Sequence, residues 1–81
     1  MPEGLRQHSK TVGLKQSKKA LESDRAKAVY IAADADERVT ARIIDLCNEK
    51  GIQIRRVDSM RLLGRACGID IGTAVATIID D

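Results

Sequence analysis

Three lysines and a glutamine crowd one short stretch, Gly13-Leu14-Lys15-Gln16-Ser17-Lys18-Lys19. Lys15 and Lys19 are four apart and Lys18 adjoins Lys19, so on a helix the three share one exposed side. Like charges at that spacing repel. The stretch also reads as a helix start, where the positive end of the backbone dipole disfavours cations. Each cost is only about a few tenths of a kcal/mol. A polyanion would turn both costs into attraction, because lysines and unpaired backbone N–H groups would then face the same anions. Gln16 adds a neutral side chain able to donate and accept at a base edge. The bland alternative is a solvated lysine face opposite Ala20 and Leu21.

Other candidates for chemistry are poor. His8 is the single histidine, and no base–orienter pair surrounds it. Cys47 has helix-core spacing, and Cys67 falls at a helix C-terminus, where the dipole disfavours a thiolate. There is no Cys-x-x-Cys, no His/Cys ligand cluster, no Walker A loop and no Gly-x-Gly-x-x-Gly. Asp34, Asp36 and Glu37 are explained as a helix cap and a first-turn acid. The chain reads as a non-enzyme with no metal, no cofactor and no small-molecule substrate.

The elements that must position the lysines alternate along the chain. Residues 3–10 suggest a short amphipathic helix, and Thr11-Val12 a brief strand running into Gly13. A helix from Leu14 to Ser23 would bury Ser17, Ala20 and Leu21. Residues 28–33 form an apolar run typical of a strand covered on both faces. The next helix reaches Lys50, with Val39, Ile43, Ile44 and Cys47 on its inner stripe, and Gly51 stops it. Residues 52–57 give a second strand. Ser59 caps a helix with Met60, Leu62, Leu63 and Ala66 inward and Gly68 as terminator. Residues 69–72 form a loop, and 73–79 a last buried strand. This alternation implies an α/β fold, a three-layer α/β/α sandwich. Strand order is not visible in the pattern.

With 81 residues the chain reads as a single domain, residues 1–81, with a small margin of stability. Its hydrophobic fraction of 43% suffices for a core, which must be aliphatic because Tyr30 is the only aromatic residue. Two cysteines, no leader pattern and no membrane-length apolar run suggest a reduced, cytoplasmic protein with no membrane partner. Net charge is only +2, but residues 1–27 are markedly basic and the chain ends in Asp80-Asp81. That polarity suits a polyanion partner. Readers of single strands usually stack bases on Phe, Tyr or Trp. Phe and Trp are absent here, so a folded RNA fits better than an unstructured strand.

Three stretches resemble the ribosomal protein L7Ae/L30e family of kink-turn RNA-binding proteins, most closely its small bacterial YbxF-type members. Gly13-Leu14-Lys15-Gln16-Ser17-Lys18-Lys19 is similar to the family's Gly-x-Asn-Glu-x-x-Lys segment. Ile31-Ala32-Ala33-Asp34-Ala35-Asp36 is the second. The most specific, Leu63-Gly64-Arg65-Ala66-Cys67-Gly68-Ile69-Asp70-Ile71-Gly72, is similar to the family's Leu-Gly-Lys-Ala-x-Gly run and the loop after it.

The resemblance implies a four-stranded mixed sheet of the L30e type. It implies that the lysine helix enters the widened major groove of a kinked RNA with tandem sheared G·A pairs. By position, Gly13 would permit close backbone approach, Lys15 and Gln16 would stand where other members have Asn and Glu, and Lys19 would match the family lysine. Lys18 belongs to the same cationic side. Ile69, Asp70, Ile71 and Gly72 would cover flipped-out nucleotides at the bulge, the isoleucines as an apolar platform and Gly72 as a point of close approach. The expected protein is a monomer that stabilises kink-turn RNA, in a ribosomal or riboswitch setting. The alternative is a protein-interaction subunit on the same fold that does not touch RNA.

Overall fold

The computed structural model describes residues 9–79. The expected helix over residues 3–10 falls mostly outside them, and its last residue, Lys10, instead begins a strand. The described elements are β1 (Lys10–Val12), α1 (Leu14–Glu22), β2 (Ala26–Ala32), α2 (Glu37–Lys50), β3 (Gln53–Val57), α3 (Met60–Ala66) and β4 (Val75–Ile79). The four strands form one sheet in the order β1-β4-β2-β3. β4 pairs antiparallel with both β1 and β2, while β2 and β3 are parallel. A parallel pair needs a crossover, and α2 supplies it.

Alternate residues of the central strands feed two cores. Tyr30, Ala32, Ala76 and Ile78 pack with Leu63, Ala66 and Cys67 beneath α3. Val29, Ile31 and Val75 pack with Leu21 of α1 and with Ile43 and Cys47 of α2. The result is the expected three-layer α/β/α arrangement around a mixed sheet. Cys47 and Cys67 lie in different cores and are both free thiols. Burial raises the pKa of each; for Cys67 the positive charge of Lys10 partly opposes that rise. Among the described residues, no helix is long and apolar enough to cross a membrane.

Helix ends follow local chemistry. Asp36 caps α2 by accepting a hydrogen bond from the Arg38 amide at 2.9 Å, and Gly51 ends it at φ 68°. Ser59 Oγ accepts from the Leu62 amide at 3.1 Å at the start of α3. Two expected inward residues are not inward. The buried stripe of α2 is Thr40, Ile43 and Cys47, with Ile44 half-buried, and Val39 in the first turn is 37% exposed. Met60 is likewise 37% exposed, because α3 turns Leu63, Gly64 and Ala66 inward and Leu62 is only half-buried. β4 begins at Val75 rather than Thr73, because the Thr73 amide donates to Met60 O at 3.1 Å instead of joining the ladder.

Candidate nucleic-acid interface

The topology gathers Gly13, the first turn of α1 and the Ile69–Gly72 loop at one end of the sheet, while Lys19 lies in the last turn of α1. β1 and β2 run antiparallel to β4, so their C-terminal ends lie beside the start of β4, and β3 follows β2. Gly13, the 33–36 turn, the 58–59 turn and the 67–74 connection therefore share that end. The Val75 carbonyl joins two of them. It accepts from the Gly13 amide at 2.9 Å and from the Thr73 hydroxyl at 2.9 Å. The start of the lysine helix and the end of the Ile69–Gly72 loop are thus tied to one atom.

Gly13 is the N-cap of α1 with φ 98° and ψ 163°, a conformation that L side chains rarely adopt. It offers no side chain to cap the helix, and α1 has no acid in its first turn. The first intrahelical bond runs from the Ser17 amide to Gly13 O at 3.0 Å, so the amides of Leu14, Lys15 and Gln16 precede the helical ladder. Space around Gly13 is open: a Cβ there would meet nothing within 4 Å. Lys15, Gln16 and Lys19 are exposed and Lys18 is half-buried, while Ser17, Ala20 and Leu21 face inward as expected. Among the described residues, none of the three lysines forms an ion pair; the two pairs present are Arg38–Asp36 and Lys50–Asp24. A shallow depression beside the helix is lined by Thr11, Gln16, Lys19, Ala20, Ser23 and Arg25, which extends the cationic surface to Arg25.

The loop is bound to α3 by its glycines. A Cβ on Gly64 would overlap the Ile71 carbonyl oxygen and lie 3.1 Å from Gly72 Cα. A Cβ on Gly72 would lie 3.1 Å from the Met60 carbonyl carbon. The Ile69 amide donates to Gly64 O at 3.0 Å. Gly72 is therefore explained by its contact with α3, without any outside molecule. The two isoleucines separate. Ile69 is half-buried against the core beneath α3, whereas Ile71 is 74% exposed. Asp70 is exposed.

Two features of this end were not visible as such in the sequence. Leu14 is 38% exposed, so with Val39, Met60 and Ile71 all four exposed large apolar residues among the described ones lie here. The signal available was their position, three of them in the first turn of a helix and one in a loop. Asp34 does more than open a turn. Its Oδ1 accepts from the Met60 amide at 2.8 Å and holds the start of α3 against the β2–α2 turn. Asp36 accepts hydrogen bonds from the Arg38 side chain and amide, which hold its carboxyl below the usual range. Among the described residues, no His, Cys, Asp and Glu cluster could hold a metal ion.

The chain is thus a small α/β/α domain with an uncapped helix start bearing Lys15 and an apolar loop tied to α3 at one end of its sheet. Residues 3–81 match the model of the ribosomal protein L7Ae/L30e/S12e/Gadd45 family, and the chain belongs to that family. An RNA-binding protein of Bacillus pumilus is 47% identical over 68 residues, covering 84% of this chain and 83% of the relative. RNA-binding protein YbxF of Geobacillus stearothermophilus is 37% identical over 84% of this chain and 83% of its own length. Among solved structures, the 15.5kD RNA binding protein of Giardia lamblia superposes with a TM-score of 0.85 at 30% identity, covering 98% of this chain and 72% of that one. These relatives bear the names of RNA-binding proteins, not of enzymes.

Proposed function

We propose that the protein binds structured RNA of the kink-turn type and stabilises its bent form. The observation that carries this is the start of α1. Lys15 stands in the first turn of an N-terminus that lacks a side-chain cap and a first-turn acid, next to a glycine with open space around it; Lys18 and Lys19 carry the cationic side on to the last turn, and among the described residues none of the three forms an ion pair. That arrangement is mildly unfavourable in the free protein and favourable against phosphates. The family, and relatives named as RNA-binding proteins, support the polyanion being RNA.

In this reading Lys15, Lys18 and Lys19 contact phosphates or guanine acceptors, and Gln16 reads a base edge. Gly13 lets the backbone approach, and Ile71 with Met60 and Leu14 covers unstacked nucleotides at the bulge. Ile69 and Gly72 shape the loop from beneath. Sheared G·A pairs widen the groove enough to admit the end of α1, and a ligand that fits only the bent state draws the population towards it. The protein acts as a single-domain monomer in the cytoplasm, on ribosomal or riboswitch RNA.

A gel shift tests this with two RNAs, a kink-turn and a control in which its G·A pairs are replaced by Watson–Crick pairs. Preferential binding of the kink-turn, falling steeply with salt, is the expected result. Equal affinity for both, or binding insensitive to salt, would refute it and favour a protein-interaction role.

A further inference from the structure

Two arginines on the other side of the sheet have no structural role in view. Arg61 and Arg65 are four residues apart on α3, and both are exposed. The buried residues Leu63, Ala66 and Cys67 place them on the outward face of that helix. Two other arginines have visible work. Arg38 pairs with Asp36 at 3.1 Å, and Arg55 donates to the Tyr30 hydroxyl at 2.8 Å with its guanidinium 5.6 Å from the ring centre. Arg42 and Arg56 are unpaired too, but Arg38, four residues before Arg42, is neutralised by Asp36. Among the described residues neither Arg61 nor Arg65 forms an ion pair, although Asp58 precedes Arg61 by three positions. The two therefore repeat the like-charge spacing of Lys15 and Lys19 on the opposite layer.

Their placement gives the pair a direction. α3 starts at the same end of the sheet as Gly13 and is joined to the Ile69–Gly72 loop by the Gly64 and Gly72 contacts. From there it runs back over the sheet face that α1 does not cover. The Arg61–Arg65 line thus begins beside the loop and leads away from that end of the sheet, on the face opposite α1.

We infer that the outer face of α3, through Arg61 and Arg65, binds the phosphate backbone of a second A-form duplex segment, the other arm of the same bent RNA. Two guanidiniums at helix spacing, free of protein partners, suit neighbouring phosphates on one strand. The inference rests on the proposed function and extends it to the size of RNA required.

The test is the double substitution Arg61→Gln and Arg65→Gln, measured on two kink-turn RNAs. One has arms just long enough to form the kink, and in the other the second arm is longer by one helical turn. Both positions are exposed, so the variant should melt like the parent protein. The parent should bind the longer RNA more tightly. The variant should lose that gain, about fivefold or more, and its salt slope on the longer RNA should flatten by about two units. Parent protein that binds the short RNA well and gains nothing from the longer arm overturns the inference alone. An equal loss on both RNAs overturns it too, by placing the arginines at the kink. An unlinked duplex that competes as well as the linked arm shows that the segment comes from a separate molecule, against the inference. Failure of the parent to bind either RNA removes the proposed function and this inference together.

Discussion

Gly64→Ala sets two physical effects against each other with opposite signs. Gly64 lies within α3, where replacing glycine by alanine ordinarily stabilises a helix by about 1 kcal/mol. Here the added methyl would overlap the Ile71 carbonyl oxygen and lie 3.0 Å from its carbon. Backbone cannot be displaced as a flexible side chain can, so the loop must retreat by roughly 1 Å, an overpacking cost of about 1–3 kcal/mol or more. The retreat also strains the bond from the Ile69 amide to Gly64 O and that from the Thr73 amide to Met60 O, each worth about 1 kcal/mol. The net expectation is destabilisation of about 1–3 kcal/mol. Urea melts would show a lower midpoint with an unchanged slope. RNA binding by the folded fraction should weaken as well, mainly through faster dissociation, because Ile71 moves with its carbonyl. A variant as stable as the parent protein, or more stable, would refute the backbone-on-backbone account of this motif.

Lys19→Ala and Lys15→Ala should each melt normally and flatten the salt dependence of RNA binding by somewhat under one unit, from a parent slope of roughly −3 if about four phosphates are contacted. A slope unchanged in both would remove them as phosphate ligands. Gln16→Ala should cost about 1–3 kcal/mol on the kink-turn and less on the control, and equal losses would end its base-reading role. Ile71→Ala should leave urea melts within about 0.5 kcal/mol of the parent while raising the off-rate, and a large melt shift with an unchanged off-rate would take Ile71 out of the interface. The Asp36 cap is a carboxylate with a lowered folded pKa, so its stabilisation is present above the ordinary value of 3.8 and fades as pH falls through the folded one. Melting of Asp36→Ala should thus lie below the parent at neutral pH and converge with it in acid; a difference that persists in acid would contradict the cap.

The layers were legible because the core-facing residues kept their periods. Ser17, Ala20 and Leu21 are the buried face of α1 as their spacing required, and the 28–33 run is indeed a doubly covered strand, although β2 extends back to Ala26 and ends at Ala32. Pattern failed where tertiary contact decides. Val39 and Met60 have apolar side chains and helical spacing, yet they stand in first turns at the open end of the sheet. Thr73 and Ala74 read as strand, but the Thr73 amide is taken by α3. The order β1-β4-β2-β3 depends on pairing between distant segments, which no local pattern encodes. At the candidate site, residue types and the exposure of Lys15, Gln16 and Lys19 followed from sequence. The division of labour between Ile69 and Ile71 did not, since it rests on a loop held against Gly64.

The central claim is that this protein holds RNA bent, and energy transfer across the kink tests it most directly. Donor and acceptor dyes on the two arm ends of a kink-turn RNA should come together as protein is added, at low divalent ion, with a midpoint equal to the dissociation constant from direct binding. The Watson–Crick control should show no change over the same range. Saturating binding without any rise in transfer, or a rise as large in the control, would contradict the account.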